Sequence, residues 1–495
     1  MTVILPGVGA AIASVARPGE GGYAVRLRSK NEVPSVRSRR PFPTRPARHR
    51  ARAALLLLAM APLGACSTLN SVKDTFLGGN SAASGPARLD GFIGAVVADE
   101  PRAVLAAREV LALGGNAADA AVALGFTLAV TLPSRAGLGG GGACLAYNPS
   151  RDGPGGGNPE AVVFTPIAPT APNGPADRPA ALPMMARGLF ALHAKYGSRP
   201  FEGLVAPAEQ MARFGVPVSR ALLQDLALVA GPLAQDPNAR IVFAPGGQPL
   251  AEGGTLSQPD LGATLATLRT AGVGDLYQGG LARKLEDSSR LAGGGMTVGD
   301  LRAALPRTGA PLVVRAGRDN VAFVPSEGGP AAAAAFGVLQ DKPGDVQGAR
   351  AAAGRGGSLP ASTGFAVLDR KGNAVACTVT MNNLFGTGRI APGTGILLAA
   401  SPRAVAPPQL AAALAWNSNV RGFRAAVTGS GQDGAALATA VALSNTLRSG
   451  TAMPAPVPDP GRANVIACAR YLPDSEGSCS AAIDPRSPGL VAGSN

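Results

Sequence analysis

Two features of the sequence point to an α+β protein. Helix-like segments occupy the chain before residue 300, and a strand-rich block runs from 360 to 430. Of the 495 residues, 46% are hydrophobic, an ordinary share for a globular protein with a sizeable core. Aromatics make up only 4%, so Ala, Val and Leu must fill most of that core. The 67 Gly and 44 Pro predict many turns and loops. The length exceeds one typical domain of roughly 100–200 residues.

The net charge of +14 suggests nucleic-acid binding until it is located. Residues 1–65 hold eleven Lys/Arg against Glu20 and Glu32, so nine of the fourteen net charges sit there and five elsewhere. No basic stripe with interleaved aromatics occurs outside that region, and no nucleic-acid partner is expected. Residues 1–65 read instead as a leader. Seven Arg between Arg37 and Arg52 precede an apolar run, Ala53–Ala61, which ends in Leu63-Gly64-Ala65-Cys66. A basic flank, a short apolar run and small residues form an export signal. The run is too short to span a membrane, which takes about 20 apolar residues. Its ending resembles the lipobox of bacterial lipoproteins, which implies lipidation of Cys66, a membrane partner through the lipid, and a fold facing the periplasm. Ser67 after the Cys favours the outer membrane. More than 35 residues precede the basic flank, so translation is expected to start downstream of Met1. Residues 66–90 read as a flexible tether with Gly, Ser and Asn punctuation.

Cys144 and Cys377 lie in apolar, strand-like runs and read as small core residues. Cys468 and Cys479 flank a Pro/Asp/Gly loop, and export to an oxidising compartment predicts a disulfide between them. No Cys/His spacing fits a metal, and no cofactor motif is present. With His49 in the leader, a His-based triad would rest on His193 alone, which reads as a helix-surface residue.

The helix-like stretch Ala107–Ala123 is interrupted at Gly114-Gly115-Asn116, and a glycine tetrad, Gly139–Gly142, follows. Four glycines suggest a phosphate cradle, but no Lys-Ser/Thr pair completes a P-loop. The strand-rich block opens at Ser362, with alternating runs Phe365–Leu368 and Ala374–Val379 split by Asp369–Asn373, the pattern of a β-hairpin. Read together, Gly114–Ala120, the tetrad, Pro325–Gly329, the Ser362–Gly388 block, Val427–Ser430 and Asp484–Ser487 resemble the gamma-glutamyltransferases, a family of N-terminal-nucleophile hydrolases. The resemblance runs from about Gly91 to the C-terminus and looks shortened before Ser362 and after Leu447. It implies a four-layer αββα sandwich, a large-subunit-like region at 91–361 and a small-subunit-like region from 362 to 495.

It also implies a chemistry. The precursor cuts itself, and the new N-terminal hydroxyl residue attacks a gamma-glutamyl amide with its own α-amine as base, so no His is needed. By position the nucleophile is Ser362, Thr380 is the residue that hydrogen-bonds it, and Asn382, Gly429 and Ser430 touch the substrate. Ser362 could equally be a polar residue of the Gly/Ser-rich linker Gly354–Ala361. Other positions depart from the family. Thr165 and Ala404 stand where charges on the donor's α-carboxylate and α-amine are expected. Ala411-Ala412 replace a Ser pair, and Gln432 and Asp433 replace paired glycines of the oxyanion turn. Two readings therefore stay open: an exported enzyme acting on small gamma-glutamyl compounds, with large and small fragments as partners, or a degenerate lipoprotein kept for binding or scaffolding. On side-chain chemistry, ordinary gamma-glutamyl donors are expected to turn over slowly or not at all.

Overall fold

The computed structural model describes residues 87–88, 92–170, 177–354, 361–406, 409–432, 434–454 and 456–493. The leader, Cys66, the tether apart from 87–88, and Asp433 lie outside the described residues. Fourteen strands build two sheets. In chain order they are β1 (Ala87–Arg88), β2 (Gly94–Ala98), β3 (Gly141–Tyr147), β4 (Glu160–Phe164), β5 (Arg307–Gly309), β6 (Leu312–Ala316) and β7 (Asp319–Phe323). The C-terminal part adds β8 (Ser362–Asp369), β9 (Ala374–Thr380), β10 (Ala412–Asn417), β11 (Gly422–Ser430), β12 (Arg462–Leu472), β13 (Cys479–Ala482) and β14 (Leu490–Gly493). One seven-stranded sheet runs β1-β13-β12-β11-β10-β7-β6 and the other β14-β2-β8-β9-β3-β4-β5.

Alternation along the strands assigns each sheet two buried faces. In β8, Phe365 and Val367 join a core with the helices α1 (Pro101–Ala112), α2 (Ala117–Thr131) and α3 (Met185–Tyr196). Ala366 and Leu368 point the other way, into a core shared with Leu414, Ala426 and Ile466 of the facing sheet. On the far side of that sheet, Val427 and Val465 pack on α4 (Gly328–Asp341), α5 (Val346–Ala353) and α6 (Gly434–Ser449). Three cores thus separate four layers, helical, sheet, sheet and helical. Strands buried on both faces carry apolar or small residues at most positions, as in Phe365–Leu368 of β8.

The glycine-rich punctuation has local causes. Gly114, at φ +80°, ends α1, and Asn116 then caps α2 by accepting from Asp119 N while Asp119 accepts from Asn116 N. All fifteen residues of α2 are buried, as expected of a helix apolar on every side. The tetrad has no phosphate role. A Cβ at Gly139, Gly140, Gly141 or Gly142 would lie 2.1–2.3 Å from the carbonyl oxygens of Leu397, Thr380, Phe164 and Thr378. These glycines let neighbouring backbones close up around β3.

The cysteine reading needs one correction. Cys144 and Cys377 are fully buried core residues, but they face each other across β3 and β9 and are joined, S–S 2.06 Å. The pairing links strands 233 residues apart, a distance at which sequence spacing gives no signal. Cys468 and Cys479 are also joined, across β12 and β13.

Glu100 supplies a test of the buried charge balance. Its Oε2 caps α1 by accepting from Ala103 N at 2.9 Å and also accepts from Thr131 Oγ1 at 2.9 Å. Oε1 is buried without a partner among the described residues. Burial outweighs the two hydrogen bonds and holds the carboxyl above its ordinary 4.5. The folded state therefore binds the proton more tightly than the unfolded one. That contribution to stability is complete below the unfolded pKa and is lost as pH rises through the folded one. Glu100→Gln keeps an acceptor for Ala103 and removes the charge. Thermal melts should show the variant gaining over wild type at pH 7 and the gain vanishing near pH 4; a pH-independent difference would contradict the assignment.

Candidate active site

The start of β8, the ends of β4, β9 and β11 and the start of β3 meet at one edge of the two sheets. The β8–β9 hairpin sets this up. Its turn is tied by Asp369 Oδ1, which accepts from Lys371 N and Asn373 N at 2.8 and 3.1 Å, with Gly372 at φ +81°. The resulting register puts Ser362 directly opposite Thr380. Side-chain alternation turns Ser362 and Gly364 toward the other sheet. There a Cβ on Gly364 would lie 2.7 Å from Thr428 Cβ, so the sheets approach closely beside the site.

Ser362 is fully buried. Its Oγ accepts from Gln432 N at 3.1 Å, a donor in the turn just past the end of β11. Thr380 Oγ1 donates to the carbonyl oxygen of Ala361 at 2.9 Å and accepts from Asn382 N at 2.8 Å. The peptide between residues 361 and 362 thus carries a polarising donor on its carbonyl, with the Ser362 hydroxyl one residue away. Asn382 stands at φ +61°, and its carboxamide donates to Ala400 O at 2.8 Å.

Within the oxyanion turn carried over by position, the backbone donor to Ser362 comes from Gln432. Gly429 N donates to Ala411 O at 2.8 Å within the sheet framework, and Ser430 is buried in β11 opposite Arg462. Neither presents a free backbone donor to Ser362 as clearly as Gln432 does. Gln432 sits at φ +50° after Gly431 at φ +93°, a left-handed backbone that glycine adopts more cheaply. The donor is thus a backbone N–H at the position where the resemblance places one of the paired glycines of the oxyanion turn.

Asp99 anchors the site from behind. Its carboxylate accepts from Thr363 Oγ1 at 2.7 Å, Asn464 Nδ2 at 3.0 Å and Ser487 Oγ at 3.0 Å, and it is 1% exposed. The N-terminal block, the residue after Ser362 and the Asp484–Ser487 block therefore converge on one buried carboxylate. Three donors on one buried carboxyl fix geometry strongly, because losing any of them leaves buried hydrogen-bonding capacity unmet.

A cleft of about 570 Å³ opens beside the site, reaching Thr165, Arg307, Glu327, Thr380, Asn382 and Pro402. Thr165 does lie on its wall, uncharged. The charges of Arg187 and Asp369 do not reach this cleft. The Arg187 guanidinium stacks on Tyr277, 3.7 Å from the ring centroid, and donates to the carbonyls of Leu301 and Ala304. Asp369 is at the opposite end of β8, beside a larger cavity of about 870 Å³. Seven residues of extended strand, about 23 Å, separate that cavity from Ser362. His193 lies on α3 with its ring against Phe201 and Nε2 2.7 Å from Arg199 O, away from this edge. Among the described residues no cluster of His, Cys, Asp and Glu could hold a metal ion.

The chain is similar to known proteins in sequence and in fold. The family model described as Gamma-glutamyltranspeptidase matches residues 103–354 and 348–419, so Ser362, Thr380 and Asn382 fall inside the match and Gly429 to Gln432 beyond it. Glutathione hydrolase proenzyme of Bacillus subtilis is 34% identical over 223 residues, 42% of this chain and 37% of that protein. Glutathione hydrolase proenzyme of Escherichia coli is 29% identical over 370 residues, 59% of this chain and 63% of that protein. The chain thus spans less than two thirds of these relatives' length. The crystal structure of cephalosporin acylase from Bacillus halodurans shares the fold, with a TM-score of 0.68 at 18% identity over 83% of this chain and 97% of that one.

Proposed function

Because the chain belongs to the gamma-glutamyltranspeptidase family, we propose that it is an exported, self-cleaving amide hydrolase or acyltransferase for small gamma-glutamyl compounds, with Ser362 as nucleophile. One observation carries the reading: Ala361 O holds the Thr380 hydroxyl while Ser362 Oγ holds Gln432 N. In self-cleavage, Ser362 Oγ attacks the Ala361 carbonyl carbon, and the negative charge developing on Ala361 O is met by Thr380. Collapse breaks the C–N bond and leaves an ester on Ser362 with a free α-amine. Water then hydrolyses the ester to a carboxylate at Ala361 and a free hydroxyl at Ser362. The new amine takes the hydroxyl proton in each later attack on a substrate amide, forming an acyl-enzyme that water or an amine acceptor resolves. That the two similar proteins are named proenzymes supports the processing step.

The leader motif supports anchoring of the mature chain by lipid on Cys66, with the fold in the periplasm and the outer membrane favoured. A second reading, a non-catalytic envelope scaffold, is favoured by uncharged Thr165 on the cleft wall and by Ala404 in the loop after Ala400. Denaturing gels run with reductant and gamma-glutamyl anilide hydrolysis by purified mature protein separate the two. Wild type should give two fragments and release amine, and Ser362→Ala should give one full-length band and no release. An uncleaved, inactive wild type would favour the scaffold. Mass spectrometry of the same preparation should find acylated Cys66 at the N-terminus; an unmodified chain retaining residues 53–65 would remove the anchoring proposal.

A further inference from the structure

We infer, resting on the reading above for Ser362 as the attacking group, that Arg486 is a positioning residue of the reaction. It holds the loop 457–461 behind the turn that carries Gln432, and so keeps Gln432 N aimed at Ser362 Oγ.

The arrangement starts from register. β12 opens at Arg462 opposite Ser430, the last residue of β11, so the residues before Arg462 run beside those after Ser430. The two segments meet with no side chain between them. A Cβ on Gly431 would collide with Pro460 O, and one on Gly434 would lie 2.7 Å from Gly461 N. Each segment is also closed on itself: Gly434 N donates to Gly431 O at 3.0 Å, and Gly461 N donates to Pro458 O at 3.1 Å. Two closed segments in direct backbone contact move together, because close packing transmits a shift and does not absorb it. The loop 457–461 therefore sets where Gln432 N points.

Arg486 holds that loop at both ends. Its Nη1 donates to Val457 O and to Asp459 Oδ1, each at 2.9 Å, and its Nη2 donates to Gly461 O at 2.6 Å. Among the described residues no other side chain hydrogen-bonds residues 457–461. Asp484, 1% exposed, fixes the fork in turn, accepting from Arg486 Nε at 2.9 Å and from Nη2 at 2.8 Å. A planar guanidinium can serve these four partners at once, which the point charge of an ammonium cannot. The next residue, Ser487, donates to Asp99, which also accepts from Thr363. One short block thus ties down the nucleophile's strand through Ser487 and the donor turn through Arg486. Gln432 N meets the oxygen on which charge builds as the Ser362 hydroxyl gives up its proton. A displaced turn costs rate there and leaves the hold on the substrate as it was.

The test compares wild type with Arg486→Met and Arg486→Lys, the lysine keeping the charge beside Asp484 but not the fork. Hydrogen exchange read by mass spectrometry should quicken in both variants over the peptide carrying Gln432 and over 457–461, with β8 and β9 unchanged. On a gamma-glutamyl anilide, kcat per active site, counted from the acyl burst, should fall about ten- to a hundredfold with KM within about twofold of wild type. An arginine serving stability alone would lower the melting temperature and the count of active sites, and leave kcat per site as it was. Unchanged exchange at the Gln432 peptide, or a lysine variant with wild-type kcat, would overturn the assignment. If Arg486→Met does not fold, Arg486→Lys carries both readouts. A wild type without turnover sinks the reading of Ser362 as the attacking group, while exchange at the Gln432 peptide still decides what Arg486 holds.

Discussion

Thr380→Val should slow self-cleavage by about 10²- to 10³-fold, the usual cost of removing one donor from a developing oxyanion. The substitution keeps the shape of the side chain and its β-branch, so the strand and its packing stay. What disappears is the hydroxyl that donates to Ala361 O and accepts from Asn382 N. The first contact strengthens as the carbonyl oxygen gains charge, which is why its loss raises the barrier. The second orients the hydroxyl and holds Asn382 at its positive φ. Thr378 provides a matched control two residues earlier on the same strand face. It too is fully buried, and its Oγ1 has no hydrogen-bond partner among the described residues. Thr378→Val removes an unsatisfied hydroxyl and should leave cleavage unchanged, with stability equal or slightly higher. Thr380→Ser keeps the donor and should retain most of the rate. A time course of fragment formation on denaturing gels from freshly purified precursor reads all three. Equal slowing by Thr378→Val and Thr380→Val would mean that packing, and not the hydroxyl, governs the step.

How much of this was legible in the sequence depends on the range of the interaction. The β8–β9 hairpin was, because alternation and the Asp369–Asn373 turn are local, and it alone fixes Ser362 opposite Thr380. The break at Gly114-Gly115-Asn116 was legible as a boundary for the same reason. The site's support was not. Asp99 meets partners 264, 365 and 388 residues away, and nothing in the residues near it announces them. Gln432 was legible by position in the oxyanion turn, but not that its backbone N–H reaches Ser362 Oγ. The glycine tetrad was legible only as not completing a P-loop; its cause, the approach of neighbouring backbones, is a long-range contact.

If the chain is cut before Ser362, its two fragments should separate on a denaturing gel only after reduction. Cys144 belongs to the N-terminal fragment and Cys377 to the C-terminal one, and the structure joins them. Cys468 and Cys479 both lie in the C-terminal fragment and cannot hold the halves together. Without reductant, processed protein should therefore run as one band near the precursor, and with reductant as two. In the uncut chain the bond closes a loop of more than 200 residues, for which chain entropy gives about 5 kcal/mol against the unfolded state. After cutting, the same bond makes reassembly of the unfolded halves intramolecular. Cys144→Ser with Cys377→Ser removes the link, and then two bands should appear without reductant. Under native conditions the halves should nevertheless stay together. Strands β8 and β9 of the C-terminal fragment are inserted between β2 and β3 of the N-terminal one, while β10 of the C-terminal fragment pairs with β7 of the other. Those interleaved ladders and their three cores do not depend on sulfur. Size exclusion of the double variant should return a single species of unchanged mass, with a lower melting temperature. Two bands from unreduced wild type would show that the sulfurs are not joined, whereas one band in both lanes would place the fault in the cleavage step.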